Sequence, residues 1–264
     1  MSLVASDLDG TLLTPETKVS ERTIEALRAV HARGIEVVAV TGRSHWSAVE
    51  ILRPVGCIRW IICSNGATVY DYEAEAVVHD RPLSETQVNE VVDRMVEAFP
   101  TVGFAWESRN GIFHSDQWVQ NREANETSYG IKKARPTTDL AGEESAVLKL
   151  MAAHDELTTY EWLDAVQQHL PAGVSASTSG ATFVEVTQAD ANKGEALRSL
   201  CRQLGVARGE TMAFGDHAND LPMLDWVGVS YAMANAAPRV MEVADHVAPH
   251  HRDDGVAQVL EQLL

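Results

Sequence analysis

The feature that most constrains the fold is the stretch 3–13, which reads LVASDLDGTLL. Its apolar start predicts a buried strand that ends in Asp7 and Asp9, followed by a glycine able to turn the chain. Alternation along an extended chain places both carboxylates on one side. Two like charges so close are unfavourable unless a cation lies between them or one is protonated, and active sites use both arrangements. The alternative is that one aspartate caps the next helix and the other is solvated.

A strand–helix–strand rhythm follows this stretch. Apolar spacing predicts a helix over 20–33, and a β-rich run predicts a strand over 35–40 that ends at Thr41. In a parallel α/β sheet, ligands gather outside the carboxyl ends of the strands, near the point where strand order reverses. We therefore expect Thr41 beside the two aspartates. Capping of a helix over 44–52 is an alternative role for Thr41, and the two roles are compatible.

The middle of the chain has a different character. A third strand over 60–63 and a hairpin over 67–70 and 77–79 precede it. The pattern then predicts helices over 84–98 and 160–170, strands over 102–106, 112–114, 147–152, 174–177 and 182–186, and a loop-rich tract over 116–145. Short strands in sequence with two helices indicate an antiparallel sheet covered on one face. We therefore predict an inserted α+β domain over 82–188.

The α/β rhythm resumes after the insertion. Asn192 is a candidate N-cap for a helix that begins with Lys193 and ends at Gly205. A strand over 211–214 then leads into the run FGDHANDLPML, which contains Asp216. We therefore assign 1–81 and 189–264 to one α/β domain with a parallel sheet.

Composition excludes several classes of function. A formal net charge of −17 argues against nucleic acid and anionic membranes as partners, because both require a basic face. No apolar run is long enough to span a membrane and no signal peptide is evident, so we expect a cytoplasmic protein. Three cysteines at unrelated spacings indicate neither a disulfide framework nor a metal site. Because the chain has only five lysines, the position of Lys193 is informative.

Four separated segments resemble the motifs of the haloacid dehalogenase superfamily, and specifically its Cof-type phosphatases with a type IIB cap. The matching segments are DLDGTLL at 7–13, VTGR at 40–43, NKGEAL at 192–197 and GDHANDLPML at 215–224. Weaker likeness continues through AMANA at 232–236. The chain departs from the family at Asp190, where glycine is common. The resemblance implies a Rossmann-like parallel-sheet core with an inserted C2B cap, which would exclude bulk water and favour small substrates.

The chemistry of phosphoryl transfer gives these residues roles, because it needs an in-line nucleophile and dispersal of negative charge. Asp7 is the candidate nucleophile that forms an aspartyl phosphate, and Asp9 is the candidate general acid and base. Asp7, the backbone carbonyl of Asp9 and Asp216 would supply oxygen ligands to Mg²⁺. Thr41 would donate to a phosphate oxygen, and Lys193 would neutralise the developing charge from the positive end of its helix. A solvated lysine in the first helical turn is the alternative for Lys193.

Further residues are candidates for supporting or substrate-binding roles. We expect Asn219 and Asp220 to orient the metal ligands and to hold Lys193, with Asn219 also contacting substrate. The other candidates near the substrate are Gly42, Arg43, His45, Asn65, Gly66 and His217 in the flanking segments and Trp106, Glu107, Arg109 and His114 in the insertion. For the four residues of the insertion, a core or surface role is the alternative.

The sequence therefore predicts a Mg²⁺-dependent phosphatase acting on a small phosphorylated metabolite, such as a sugar or polyol phosphate. By family resemblance, dehalogenases lack the second aspartate, so its presence favours an ester hydrolase or a mutase. The alternatives are a phosphomutase or dedicated sugar phosphatase with the same cap, and a non-catalytic phosphometabolite-binding module. We expect a monomer or a small homo-oligomer.

Overall fold

The computed structural model of the chain describes residues 1–109, 111–120, 135–136, 146–154 and 157–264. These residues form two compact units, Met1–His79 with Asn192–Leu264 and Asp80–Ala191. Among the described residues, none of the helices combines the length and apolar character that crossing a bilayer requires.

The strands are numbered in chain order. They are β1 Leu3–Ser6, β2 Glu36–Val40, β3 Trp60–Cys63, β4 Thr68–Asp71, β5 Ala76–Asp80, β6 Gly103–Ser108, β7 Gly111–His114, β8 Arg135–Pro136, β9 Lys149–Ala153, β10 Val174–Ser177, β11 Phe183–Gln188, β12 Thr211–Gly215, β13 Val229–Met233 and β14 His246–Ala248. The helices are α1 Glu21–Ala32, α2 His45–Leu52, α3 Glu85–Ala98, α4 Asp116–Gln120, α5 Thr159–Gln167, α6 Lys193–Leu204, α7 Leu221–Trp226, α8 Pro238–Val243 and α9 Gly255–Leu260.

The first unit is built on an eight-stranded sheet in the order β14-β13-β12-β1-β2-β3-β4-β5. The strands from β14 to β3 pair in parallel, and β4 joins β3 antiparallel. The strand order reverses at β1, since β2 and β3 follow it on one side and β12, β13 and β14 lie on the other. This switch point is where ligands bind in open α/β sheets.

Both faces of this sheet are covered, as is usual for parallel sheets. Alternation along β1 sends Val4 into one apolar cluster, which α1 and α9 complete, and sends Leu3 and Ala5 into the other, completed by α6 and α7. Because the side chains of β1 are buried on both faces of the sheet, the strand fixes the start of the loop that follows it. The position of Asp7 is therefore well defined.

The second unit has a six-stranded sheet in the order β10-β11-β9-β6-β7-β8. Its pairs are antiparallel except β7 with β8, and α3 and α5 pack their apolar faces on one side of it. These elements agree with the predicted antiparallel sheet with a helix-covered apolar face. The prediction did not include α4, whose Trp118 ring lies 5.4 Å from the Phe183 ring on the other face. The ion pair from the Arg81 guanidinium to the Asp190 carboxylate, at 3.4 Å, lies within this unit.

The prediction of a loop-rich tract over 116–145 is wrong at the start of the tract, where the structure has the helix α4. Trp118, which is buried, donates its backbone N–H to the Ser115 carbonyl at 3.2 Å, so burial of the indole favours a helical turn here. The short strand β8 also lies in this tract. Residues 121–134 and 137–145 lie outside the described residues.

Candidate active site

Polar side chains follow four neighbouring strands at one edge of the first sheet. Asp7 follows β1, Thr41 follows β2, Asn65 follows β3 by one residue, and Asp216 follows β12. Parallel pairing brings the strand ends together: the Asp7 N–H donates to the Phe214 carbonyl at 3.0 Å, and the Thr41 N–H donates to the Ile62 carbonyl at 2.8 Å. The sheet itself therefore gathers these residues.

Lys193 is fully buried between two carboxylates. Its Nζ donates to Asp7 Oδ1 and to Asp220 Oδ1, each at 2.6 Å. Asn192 caps α6 by accepting from the Glu195 N–H at 3.0 Å, so Lys193 is the first helical residue. The alternative of a solvated lysine is wrong, because two buried carboxylates hold the ammonium group out of water.

Asp220 organises the loop that carries Asp216. One of its oxygens accepts from Lys193, and the other accepts from the backbone N–H groups of Asp216 at 2.9 Å and His217 at 3.0 Å. Both oxygens of Asp220 are therefore occupied by donors within the protein. The arrangement fixes the backbone around Asp216 and ties it to the lysine.

Asp216 closely approaches the loop after β1. Its Oδ1 accepts from the Thr11 hydroxyl at 3.0 Å, and its Oδ2 lies 3.5 Å from Asn235 Nδ2. A Cβ on Gly10 would lie 2.3 Å from Asp216 Oδ2, and Gly10 also has φ of +77°. This position requires glycine for both reasons.

Thr11 and Asn235 were not among the predicted site residues. Asn235 Nδ2 donates to the Gly10 carbonyl at 2.8 Å, so it links the loop after β1 to the segment after β13. Both residues lie inside stretches that the motif comparison covers, DLDGTLL and AMANA. Their place in these stretches was the available signal, but nothing in the sequence says which atoms they bind.

The buried acids are short of positive charge. Burial raises the pKa of Asp7 to about 7, although the Lys193 ammonium lowers it. Burial, with the charges of Asp7 and Asp220, raises the pKa of Asp216 to about 9. Burial alone would lower the pKa of Lys193, but Asp220 and Asp7 outweigh it and raise that pKa. One ammonium group thus does not compensate three carboxyl groups.

This donor set fits a hard divalent cation. One oxygen each of Asp7, Asp216 and Asp220 lie within 4.8 Å of one another, and all three residues are buried. Carboxylate oxygens are the ligands that Mg²⁺ prefers. Burial lowers the pKa of His217, so its imidazole is neutral near pH 7 and adds no positive charge.

Asp9 points its carboxylate at Arg43. Arg43 Nε donates to Asp9 Oδ2 at 2.7 Å, and Nη2 donates to Oδ1 at 2.5 Å. Thr41, fully buried, accepts from the Arg43 N–H at 3.1 Å through its hydroxyl oxygen. Thr41 does not cap α2, whose N-cap residue is Ser44. Gly42 lies between these two residues.

Asn65 and Asn219 form a buried amide pair. Asn219 Nδ2 donates to Asn65 Oδ1 at 3.0 Å. Asn65 Nδ2 and Asn219 Oδ1 have no hydrogen-bond partner among the described residues. The backbone of Asn65 is left-handed, with φ of 59°, and a Cβ on the next residue, Gly66, would lie 2.4 Å from the Asn192 carbonyl oxygen. The turn after β3 is therefore packed tightly against the start of α6.

The remaining candidates of the first unit have packing or local polar contacts. His45 stacks on Tyr70 with ring centroids 5.5 Å apart, and burial lowers its pKa. His217 Nε2 lies 3.5 Å from Asp216 Oδ2.

The candidates of the second unit are held within that unit. Trp106 belongs to its apolar core, and Glu107 is buried 3.6 Å from the Lys149 ammonium. Arg109 pairs with Asp80, and His114 Nδ1 lies 3.2 Å from the Ser115 carbonyl oxygen.

Comparison with known proteins covers the whole chain. The family model of the haloacid dehalogenase-like hydrolases matches residues 4–260. Phosphatase YwpJ of Bacillus subtilis is 30% identical over 100% of both chains, and pyridoxal phosphate phosphatase YbhA of Escherichia coli is 26% identical over 98% of this chain and 97% of its own. The subclass IIB sugar phosphatase BT4131 has a similar fold, with a TM-score of 0.83 at 22% identity over 100% of this chain and 99% of its own.

These matches confirm the family resemblance, the α/β fold class with its subclass IIB relatives, and the prediction of an enzyme. The chain belongs to the haloacid dehalogenase-like hydrolase family and is one of its phosphatases.

Proposed function

We propose that this enzyme hydrolyses small phosphate monoesters, such as sugar or polyol phosphates, through an aspartyl phosphate on Asp7 with Mg²⁺ as cofactor. The supporting observation is the buried arrangement of Asp7, Lys193, Asp216 and Asp220 at the switch point of the sheet. Residues 80–191 would serve as the inserted cap domain. A pyridoxal phosphate phosphatase and a sugar phosphatase among the relatives are consistent with a small substrate.

Asp7, the backbone carbonyl of Asp9 and Asp216 would hold the metal ion. Asp220 fits a supporting role better than that of a ligand, because one oxygen accepts from Lys193 at 2.6 Å and the other from two backbone N–H groups at 2.9 and 3.0 Å. Asp216 Oδ2, in contrast, lies at the longer distance of 3.5 Å from Asn235 Nδ2. When bound, Mg²⁺ supplies the positive charge that lets the buried carboxylates stay ionised beside an anionic substrate. Thr11 and Asn235 would keep Asp216 in place.

The chain's own residues carry the two chemical steps. In the first, an Asp7 oxygen attacks phosphorus, the ester P–O bond breaks, and the leaving oxygen takes a proton from Asp9. In the second, water attacks the aspartyl phosphate and gives a proton to Asp9, which restores the Asp7 carboxylate and releases phosphate. Proton transfer of this kind typically contributes on the order of a hundred- to ten-thousand-fold.

The phosphoryl group needs donors that stabilise its charge as it is transferred. We propose that Lys193, already 2.6 Å from Asp7, compensates this charge and that Thr41 and Gly42 donate to phosphate oxygens. Arg43, Asn65 and Asn219 are proposed to contact the substrate. The buried, unpartnered amide atoms of the Asn65–Asn219 pair support this role, because buried polar groups usually find a partner.

The test is a panel of phosphate esters assayed with the metal-free enzyme and again after addition of Mg²⁺. The panel contains hexose, pentose and polyol phosphates, pyridoxal phosphate and p-nitrophenyl phosphate. We expect Mg²⁺-dependent phosphate release from small esters and none from the Asp7→Asn variant. Phosphate release that is unaffected by a metal chelator, or substantial turnover by Asp7→Asn, would contradict the proposal. Conversion of a hexose 1-phosphate into the 6-phosphate without free phosphate would identify a mutase instead.

A further inference from the structure

We propose that Arg43 is a positioning residue for Asp9: its guanidinium holds the Asp9 carboxyl in the orientation in which it exchanges protons during turnover. This inference rests on the proposed function, in which Asp9 is the general acid and base. The supporting geometry is a two-pronged contact, with Arg43 Nε 2.7 Å from one carboxylate oxygen and Nη2 2.5 Å from the other. Such a fork fixes the plane of the carboxylate as well as its distance.

Arg43 is the fixed partner of this pair. Its side chain is 6% exposed, against 31% for that of Asp9. Its backbone carbonyl accepts from the Ser64 N–H at 2.9 Å, and its N–H donates to the Thr41 hydroxyl oxygen at 3.1 Å. The remaining guanidinium nitrogen, Nη1, lies 3.4 Å from the Ser47 hydroxyl. The Arg43 backbone is therefore held on both sides, and its buried guanidinium also contacts Ser47, so Asp9 is oriented against a fixed partner.

Asp9 lacks such support from its own segment. It lies in the turn after β1, with extended backbone angles (φ −76°, ψ 120°) and next to Gly10, whose φ is +77°. An aspartate side chain has two rotatable bonds, and a partly exposed one samples several rotamers unless a partner selects one. The Arg43 fork restricts both bonds at once. Orientation of a reacting group contributes strongly to rate, since misplacement by about 1 Å can cost a hundredfold.

The ion pair leaves room for the proton that Asp9 must carry. A carboxylate has about four lone-pair sites, and the fork occupies one on each oxygen. Each oxygen of Asp9 thus keeps a free site for the proton given to the leaving oxygen or taken from water. A contact between Arg43 and the substrate would change kcat/KM by one factor for every ester. The effect that passes through Asp9 differs in that it depends on how much the leaving oxygen needs a proton.

The experiment measures how kcat/KM depends on the leaving group. Substituted phenyl phosphates share one shape but release phenols of different acidity, and good leaving groups need little help from a general acid. We expect Arg43→Met to lower kcat/KM for phenyl phosphate about tenfold more than for p-nitrophenyl phosphate. Asp9→Asn should steepen the dependence at least as much, and the double variant should be no steeper than Asp9→Asn alone.

Two further variants serve as controls. Arg43→Lys keeps the charge but loses the fork, so its dependence should fall between wild type and Arg43→Met. The matched control is Arg59→Met, because Arg59 forms a similar fork on Asp71, with Nε at 3.2 Å from Oδ1 and Nη2 at 2.9 Å from Oδ2. It should leave the dependence unchanged.

Each outcome decides between specific alternatives. If Asp9→Asn steepens the dependence while Arg43→Met lowers every ester by one factor, Arg43 acts on the phosphoryl group and the inference is overturned. If Asp9→Asn leaves the dependence as in wild type, the acid role of Asp9 fails and the inference fails with it. If circular dichroism shows Arg43→Met to be unfolded, Arg43→Lys decides by the same criterion.

Discussion

Binding of Mg²⁺ at neutral pH should release protons from the site. In the metal-free protein, burial raises the pKa of Asp7 to about 7 and that of Asp216 to about 9. At pH 7 the first carboxyl is therefore about half protonated and the second almost fully. A divalent ion needs both as carboxylates, so its binding should release on the order of one to two protons. The protons come from groups that the Lys193 ammonium alone does not keep ionised.

Isothermal titration calorimetry in buffers of different ionisation enthalpy counts these protons. The slope of the observed enthalpy against the buffer's ionisation enthalpy gives the number released per ion. We expect this number to fall towards zero as the pH rises above 9, because both carboxyl groups are then ionised before the metal arrives. The internal control is the same titration at pH 10. Binding at pH 7 without proton release would refute the reasoning that unpaired buried carboxyls form the metal site.

Three further predictions follow from the same contacts. Lys193→Met should destabilise the metal-free protein by about 3–5 kcal/mol in urea denaturation, because its two buried carboxylate partners lose their ammonium group; unchanged stability would contradict the pairing. Gly10→Ala should weaken Mg²⁺ binding in calorimetry, because the added Cβ would lie 2.3 Å from Asp216 Oδ2. Gly205→Ala is the control, since Gly205 also has positive φ but a Cβ there would have no atom within 4 Å, and equal effects of the two variants would indicate backbone strain alone. In EDTA the folded protein should bind more protons than the unfolded chain between about pH 4 and 9, because folding raises the pKa values of Asp7 and Asp216. The free energy of unfolding should therefore fall as the pH rises through this window, and a rise would contradict the raised pKa values.

Much of the site could be predicted from the sequence because its residues follow strands directly. Asp7, Thr41 and Asp216 each come after a short apolar run, and parallel pairing brings the ends of such runs to one edge. The first turn of a capped helix likewise located Lys193. These are local sequence patterns. They predict the positions of these residues well because a residue that directly follows a buried strand has little conformational freedom.

Other features depend on contacts between distant segments. Asn235 binds the carbonyl of Gly10 across 225 positions of the chain, and Arg43 binds Asp9 across 34. Contacts between side chains so far apart in sequence depend on how the loops pack and on which rotamers the side chains adopt. Hydrophobic periodicity does not predict these contacts. The helix α4 was missed for a different reason, since five residues are too few to show a helical repeat.

The central claim is that phosphate passes through a covalent bond to Asp7, and trapping that bond tests it most directly. A good substrate such as p-nitrophenyl phosphate, mixed with the enzyme and Mg²⁺ and quenched in acid during turnover, should leave one phosphoryl group on the protein. Mass spectrometry of the digested protein should place this group on the peptide with Asp7, and hydroxylamine should remove it, as expected for an acyl phosphate. A turning-over enzyme with no trapped phosphoryl group under any quench time, or with the group on another residue, would contradict the account.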